Sequence, residues 1–217
     1  MKQKSAMRYI EYVLGLMTMA VGVVLMKKAA LGITPITSLP LALNEVVPAV
    51  SLGNWTILFH ILCILAIIVI MKKVTVKTLL MLPVGIGFGY FIDLLLWIFR
   101  METDSLPLRV LLLVVGIPVS ALGVALINDA DLMLPSPDGM LRTIAAVYNK
   151  KYPTVKICGD CLWVSCALII EVSYLGKLSG AVGVGTVASA LLVGRVIKLW
   201  NKYVFQRESA RTKGSPV

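Results

Sequence analysis

Two stretches, GLMTMAVGVVLMKKAAL from Gly15 to Leu31 and GIPVSALGVALINDADL from Gly116 to Leu132, align without a gap at an offset of 101 residues. Gly15 matches Gly116, Gly22 matches Gly123, Val23 matches Val124, Leu25 matches Leu126, Ala29 matches Ala130 and Leu31 matches Leu132. Near the end of each half, GYFIDLL from Gly89 answers GRVIKLW from Gly194 at an offset of 105, so only a few residues are inserted in between. The chain reads as an internal duplication, and the fold follows from how its two copies sit in their solvent.

That solvent is lipid. Of 217 residues, 59% are hydrophobic and 15% charged, with a mean hydropathy of +0.91. Soluble domains sit at about 45–50% apolar and about 25% charged. A spanning helix needs about 20 apolar residues, so the chain has material for about six spans and none for a separate soluble enzyme domain. Six apolar segments stand out: Tyr9–Met26, Trp55–Met71, Thr78–Phe99, Val110–Ile127, Ile157–Leu175 and Leu178–Trp200. Two weaker stretches occupy matching places in the halves. Thr34–Leu52 carries Pro35, Pro40, Pro48 and Glu45, and Pro137–Tyr148 holds Asp138 and Arg142. Backbone interrupted by proline at membrane depth must be sheltered by protein or line a wet cavity. The expected fold is therefore an all-α polytopic membrane protein of two repeats, each with three spanning helices and one short broken or re-entrant helix. The repeats cover 9–100 and 107–200, between a tail at 1–8 and a basic tail at 201–217.

Three crossings per repeat make the second copy enter from the opposite side, so the repeats are expected to be inverted. With the N-terminus in the cytoplasm, Lys2, Lys4, Arg8, Lys72, Lys73, Lys77, Arg142, Lys150, Lys151, Lys156 and the tail from Arg195 are all cytoplasmic, as the positive-inside rule requires. Both termini are then cytoplasmic, and Lys27 and Lys28 stand against the rule. The net charge of +10 is explained by this retention and by anionic headgroups. A nucleic-acid partner is not expected.

Function is sought where hydrophobicity lapses. In LGITPITSLPLALNEV, Gly32 frees the backbone, Pro35 suits a first helical turn, and Thr34, Thr37 and Ser38 crowd a helix N-terminus that could receive an anion. Lys27 and Lys28 would add attraction. In LPSPDGMLRTIAAVYNKK, Asp138 is placed to cap its own helix, and Asp138 with Arg142 would form the opposite wall. Paired half-helices at a repeat interface are the sequence pointer to a transporter site. His60, Asp93, Asp160 and Glu171 are the other ionisable groups in or near spans, each a candidate because charge in a membrane is expensive. The glycines of Gly85–Gly89 and Gly180–Gly185 lack a following Lys-Ser/Thr and read as helix-packing positions. CGDC, Cys158 to Cys161, is the one enzyme-like motif. It carries a minor alternative, a membrane thiol oxidoreductase. Asp160 between the thiols opposes it, and there is no second cysteine pair in a loop. No catalytic residue, metal site or cofactor is expected, and the chain is not read as an enzyme.

LGITPITSLPLAL, SLGNWTILFHILCI and GFGYFIDLL in the first half, with LPSPDG, VKICGD and GTVASALLVGRVIK in the second, resemble the YitT/YczE-like family of bacterial inner-membrane proteins over roughly Arg8 to Lys202. The resemblance implies a small multi-pass protein of the bacterial cytoplasmic (inner) membrane, a transporter without an agreed substrate. It points to Gly32, Pro35, Ser38, Asp93, Pro137, Asp138, Gly139, Lys156, Asp160, Gly185, Thr186 and Gly194 as structural or site positions. The leading expectation is a secondary transporter or permease of a small polar or anionic solute, with the lipid bilayer and the solute as partners and a homodimer left open. A non-transporting accessory or lipid-organising protein is the alternative.

Overall fold

A computed structural model describes residues 5–100 and 105–203. Lys2, Lys4 and the basic tail beyond Tyr203 lie outside the described residues. The elements are α1 (Ser5–Ala29), α2 (Pro35–Val46), α3 (Leu52–Met71), α4 (Val76–Ile98), α5 (Leu106–Ala130), α6 (Ser136–Val147), α7 (Tyr152–Ile170), a π-helical turn (Glu171–Leu175) and α8 (Val184–Tyr203). No strand occurs among the described residues. The all-α membrane architecture and its long, short, long, long order in each half stand as expected.

The structure refines several boundaries. α1, α3, α4 and α5 are both long and apolar enough to cross a membrane. α7 with its π turn and α8 have comparable length but carry Lys156, Asp160, Glu171 and Arg195, so two of the six expected spans are more polar than the rest. The segment expected to start at Leu178 becomes helical only at Val184. Gly180 has φ of 108°, and Gly183 sits where an added Cβ would lie 2.5 Å from the Leu31 carbonyl oxygen, so this stretch is shaped by close backbone contact. α2 is short but unbroken despite Pro40, and α6 begins at Ser136, one residue early.

The two repeats meet along α1 and α5. These 25-residue helices pack antiparallel, face to face through glycine. A Cβ added at Gly15 would lie 2.9 Å from the Gly123 carbonyl oxygen, and one at Gly123 would lie 2.6 Å from that of Gly15. Gly22 stands against the Ser120 backbone, and a Cβ at Gly116 would lie 3.2 Å from the Gly22 oxygen. The glycines that align in sequence therefore exchange partners across a pseudo-twofold axis. Small residues allow such close approach where lipid supplies no hydrophobic drive.

The ends of the pair repeat the exchange. Arg8 Nε donates to the Ala130 carbonyl at 2.8 Å, and its other nitrogen to that of Asp131. Arg109, its counterpart at the same offset, donates to Ala29 at 2.7 Å and Ala30 at 2.6 Å. Ala30 and Asp131 share a left-handed backbone, with φ of 48° and 49°. A helix end leaves carbonyls unpaired and partly negative, and a guanidinium answers both conditions. Three further pairs of contacts obey the same symmetry: α1 packs on α4 as α5 does on α8, α2 on α7 as α6 on α3, and α2 on α3 as α6 on α7; the packing of α3 on α4 has no counterpart between α7 and α8. This arrangement is an inverted repeat.

Gly22→Ala and Gly123→Ala should lower the thermal midpoint in detergent, by about 1–3 kcal/mol of overpacking. Gly87→Ala, whose Cβ would meet nothing within 4 Å, should leave the midpoint unchanged or raise it.

Candidate functional site

The inverted scaffold turns both short helices back into the membrane. α1 ends at Ala29, the chain runs through Leu31–Thr34, and α2 then returns: Lys27 Nζ donates to Asn44 Oδ1 at 3.0 Å, so the end of α2 is level with the end of α1. Its N-terminus is the deeper end. α6 shows the same return from the other face, with Ser136 in its first turn meeting His60 near the middle of α3; Ser136 Oγ and His60 Nδ1 are 3.1 Å apart. The re-entrant reading of the weak segments is therefore what the geometry displays.

Both half-helices abut one apolar cluster between the repeats. Phe59, Cys63, Ile67, Met140 and Leu141 form its centre, with Ile36 and Leu39 of α2 and Trp163 of α7 packed against them. Phe59 and Trp163 meet edge to face at 5.0 Å. His60 is buried here, its ring 5.9 Å from Phe88, and Gly85 of α4 supplies the room: a Cβ there would lie 2.8 Å from His60 Nδ1.

Beside this cluster lies a charge trio. Lys156 Nζ is 2.9 Å from Asp138 Oδ1 and 2.8 Å from Asp160 Oδ1. Lys156 and Asp160 are four residues apart on α7, the spacing that stacks side chains on one helical face. Asp138 reaches them from the first turn of α6, where carboxylate also suits the positive end of the helix dipole. The side chains are 27%, 18% and 22% exposed for Lys156, Asp138 and Asp160, so they are screened from bulk solvent yet open to exchange. Two carboxylates and one ammonium leave the trio with one excess negative charge. In a low-dielectric setting that excess favours a proton or a small cation.

A second feature opens along α6. A cleft of about 800 Å³ lies between α6, the α5–α6 junction and the α3–α4 turn, with Lys77, Asn128, Asp131, Arg142 and Thr143 among its lining. It lies on the face that the charge pattern assigns to the cytoplasm.

The other candidates fall into different roles. Thr34 and Thr37 hydroxyls bond each other at 2.7 Å, and Ser38 donates to the Pro35 carbonyl at 2.7 Å while fully buried. These hydroxyls serve the first turn of α2 and do not form an open anion site. Lys27 sits at the C-terminal end of α2, opposite to the expected end, where a cation complements the dipole. Lys28 is half-buried near it, in the last turn of α1. Gly32, with φ of 110°, and Pro35 shape the descent into α2; an added Cβ at Gly32 would meet Thr186. Asp138 makes no cap on its own helix, Pro135 being the N-cap; its carboxylate goes to Lys156 instead. Arg142 lines the cleft, one helical turn beyond Asp138 on α6. Asp93 is structural: it accepts from Gly53 N at 2.8 Å and Ser51 Oγ at 2.5 Å, fixing the start of α3. Cys158 and Cys161 are exposed and unpaired on α7, away from the inward stripe of Gly159, Ala167 and Glu171. Gly85 and Gly89 pack α4 on α3 as expected, whereas Gly180 and Gly183 belong to the loop before α8. Ser136 was missed by sequence reasoning. Lys156 enters the sequence reading only as a cytoplasmic charge and through the family resemblance, although its spacing to Asp160 is a readable signal.

A family model matches residues 6–202, the whole of this scaffold from α1 to α8. The chain belongs to the family of unknown function DUF6198. No curated protein and no solved structure matches it.

Lys156→Met should destabilise the protein by about 3–5 kcal/mol, because two facing carboxylates lose their only bridging cation. The triple change Asp138→Asn, Lys156→Met, Asp160→Asn should recover most of that loss in the same thermal-unfolding measurement.

Proposed function

We propose that the protein is a secondary transporter or permease of a small polar or anionic solute in the bacterial inner membrane. The observation that carries this reading is the charge trio held between a short returning helix and α7, beside the His60–Ser136 contact near the middle of α3. A merely structural membrane bundle gains little from such a group. Charges within a membrane bundle are costly, and replacing an ion pair by well-packed apolar residues is often neutral or stabilising. Half-helix termini at the interface of inverted repeats are also where transporters place substrate and coupling ion.

The division of labour follows from charge. The trio, with its one excess negative charge, suits a coupling proton or cation. The cleft beyond α6, where Lys77 and Arg142 face Asp131, suits the anionic part of a solute. The YitT/YczE-like motifs support the same class, since Asp138, Lys156 and Asp160 are among the positions they single out.

In proteoliposomes, uptake of at least one labelled solute from a panel of small organic acids and amino acids should exceed that of empty liposomes and depend on an imposed ion gradient. Asp138→Asn, which leaves Lys156 paired with Asp160, should lower that uptake at least tenfold with little change in thermal stability. No uptake of any solute by the wild-type protein would contradict the proposal.

A further inference from the structure

The two repeats share a scaffold but differ at one pair of equivalent places, the junctions between the first and second helices. On one face the α5–α6 junction, Asp131–Leu134, lines the open cleft. On the other face its counterpart, Ala30–Ile33, is covered. Ile33 is fully buried, its N–H donates to the Ala181 carbonyl at 3.4 Å, and the Leu31 carbonyl accepts from Gly185 N at 2.7 Å. Ser189 Oγ adds a bond to the Ile33 carbonyl at 3.4 Å. Gly180, Gly183 and Gly185 each approach Ala30–Gly32 so closely that a Cβ would collide or press on the backbone.

The cover is the connection from α7 to α8, which is longer than the α3–α4 turn at the matching place. α3 packs along α4, whereas α7 and α8 are held apart by this connection. What holds the connection down is Glu171. Its side chain is fully buried, and Oε1 accepts from Ser179 N at 3.0 Å, from Ala181 N at 3.1 Å and from the Ser179 hydroxyl. Oε2 is buried without a hydrogen-bond partner. A carboxylate that concentrates three donors on one oxygen and leaves the other bare is poorly matched to a permanent structural role, since the orphan oxygen carries an unrecovered desolvation cost. It sits in a π-helical turn, a strained form of helix that recurs at functional sites. Glu171 is also out of step with symmetry: the matching residue of the first repeat is Met71, which lines the open cleft.

We propose that Gly176–Gly183 is a gate closing the α1–α2 face, and that Glu171 is the residue that latches it. The structure is then the state open at the α5–α6 face and shut at the other. Opening would break the three bonds to Oε1 and the Ile33 N–H bond to the Ala181 carbonyl, uncovering the first repeat's junction on the side of the connection. The inference deepens the transport reading and rests on it for the gate's purpose, though the latch itself is testable without transport.

The test uses the full chain in lipid nanodiscs, free of native cysteines, with Ile33→Cys as a probe and a water-soluble maleimide applied to both faces. Ala121→Cys, fully buried on α5, serves as the control for general loosening. With Glu171 intact, both probes should label slowly. Glu171→Ala should speed labelling of Ile33→Cys at least tenfold and leave Ala121→Cys slow, whereas Glu171→Gln, which keeps an acceptor oxygen, should stay close to the parent. Gly183→Ala should open the gate from the other side, by contact with the Leu31 carbonyl, and reproduce the fast labelling. Unchanged labelling of Ile33→Cys in both Glu171→Ala and Gly183→Ala would overturn the gate, as would equal acceleration at both probes. Fast labelling with no solute flux in liposomes would uphold the latch and remove transport; flux with Ile33→Cys protected throughout would do the reverse.

Discussion

At each end of the α1–α5 pair a guanidinium closes a helix that belongs to the other repeat. Arg8 holds the carbonyls at the end of α5, and Arg109 holds those at the end of α1. A helix end left with unpaired carbonyls is unsatisfied and partly negative, and the guanidinium supplies both the missing donors and the complementary charge. The same bonds support a left-handed residue, Ala30 or Asp131, that costs about 1–2 kcal/mol in an L-amino acid. That residue redirects the chain. Instead of leaving the bilayer after α1 or α5, the backbone turns inward and begins a short helix at depth. The re-entrant helices, and the site between them, are consequences of how the first helices are capped.

Symmetry supplies the frame and asymmetry supplies the chemistry. The matching positions of Asp138 and Asp160 in the first repeat are Thr37 and, at the offset of 100 that relates α3 to α7, His60. All three members of the trio therefore come from one copy, and the other contributes a neutral hydrogen-bonding edge. The faces differ as well. One junction opens to a cleft, and the other lies under the glycine-rich connection tied to Glu171. Duplication followed by divergence at these few places is enough to turn a symmetric bundle into one with a distinct inside, outside and charged centre.

The frame was legible in the sequence because it is built from periodic and repeated features. The gapless match of Gly15–Leu31 with Gly116–Leu132 marked the helices that pack together, and proline with polar residues marked the short ones. The site was only partly legible. Asp138 and Asp160 could be singled out as charge in lipid, but which partner each faces depends on tertiary geometry: Asp138 goes to Lys156 of α7 and not to its own helix end, and Arg142, one turn further along α6, lines the cleft. Thr34, Thr37 and Ser38 were misleading because a hydroxyl can satisfy its own helical turn as readily as a ligand. Asp93 was ambiguous for a related reason, since a carboxylate near a span end serves equally as a cap for a neighbouring helix. The start of α8 could not be read from hydropathy, because Leu178–Gly183 is apolar and yet held out of the helix by contacts to Leu31 and Ile33.

The repeats are inverted about the α1–α5 pair, and crosslinking across that pair tests the inversion most directly. In a cysteine-free chain cut between the repeats, a short bismaleimide should join Arg8→Cys to Asp131→Cys and, separately, Ala30→Cys to Arg109→Cys. Arg8 and Arg109 lie at opposite ends of 25-residue helices, about 37 Å at 1.5 Å per residue, so cysteines at those two positions should not join. Efficient linkage of position 8 to position 109, with none between 8 and 131, would show parallel repeats and contradict the account.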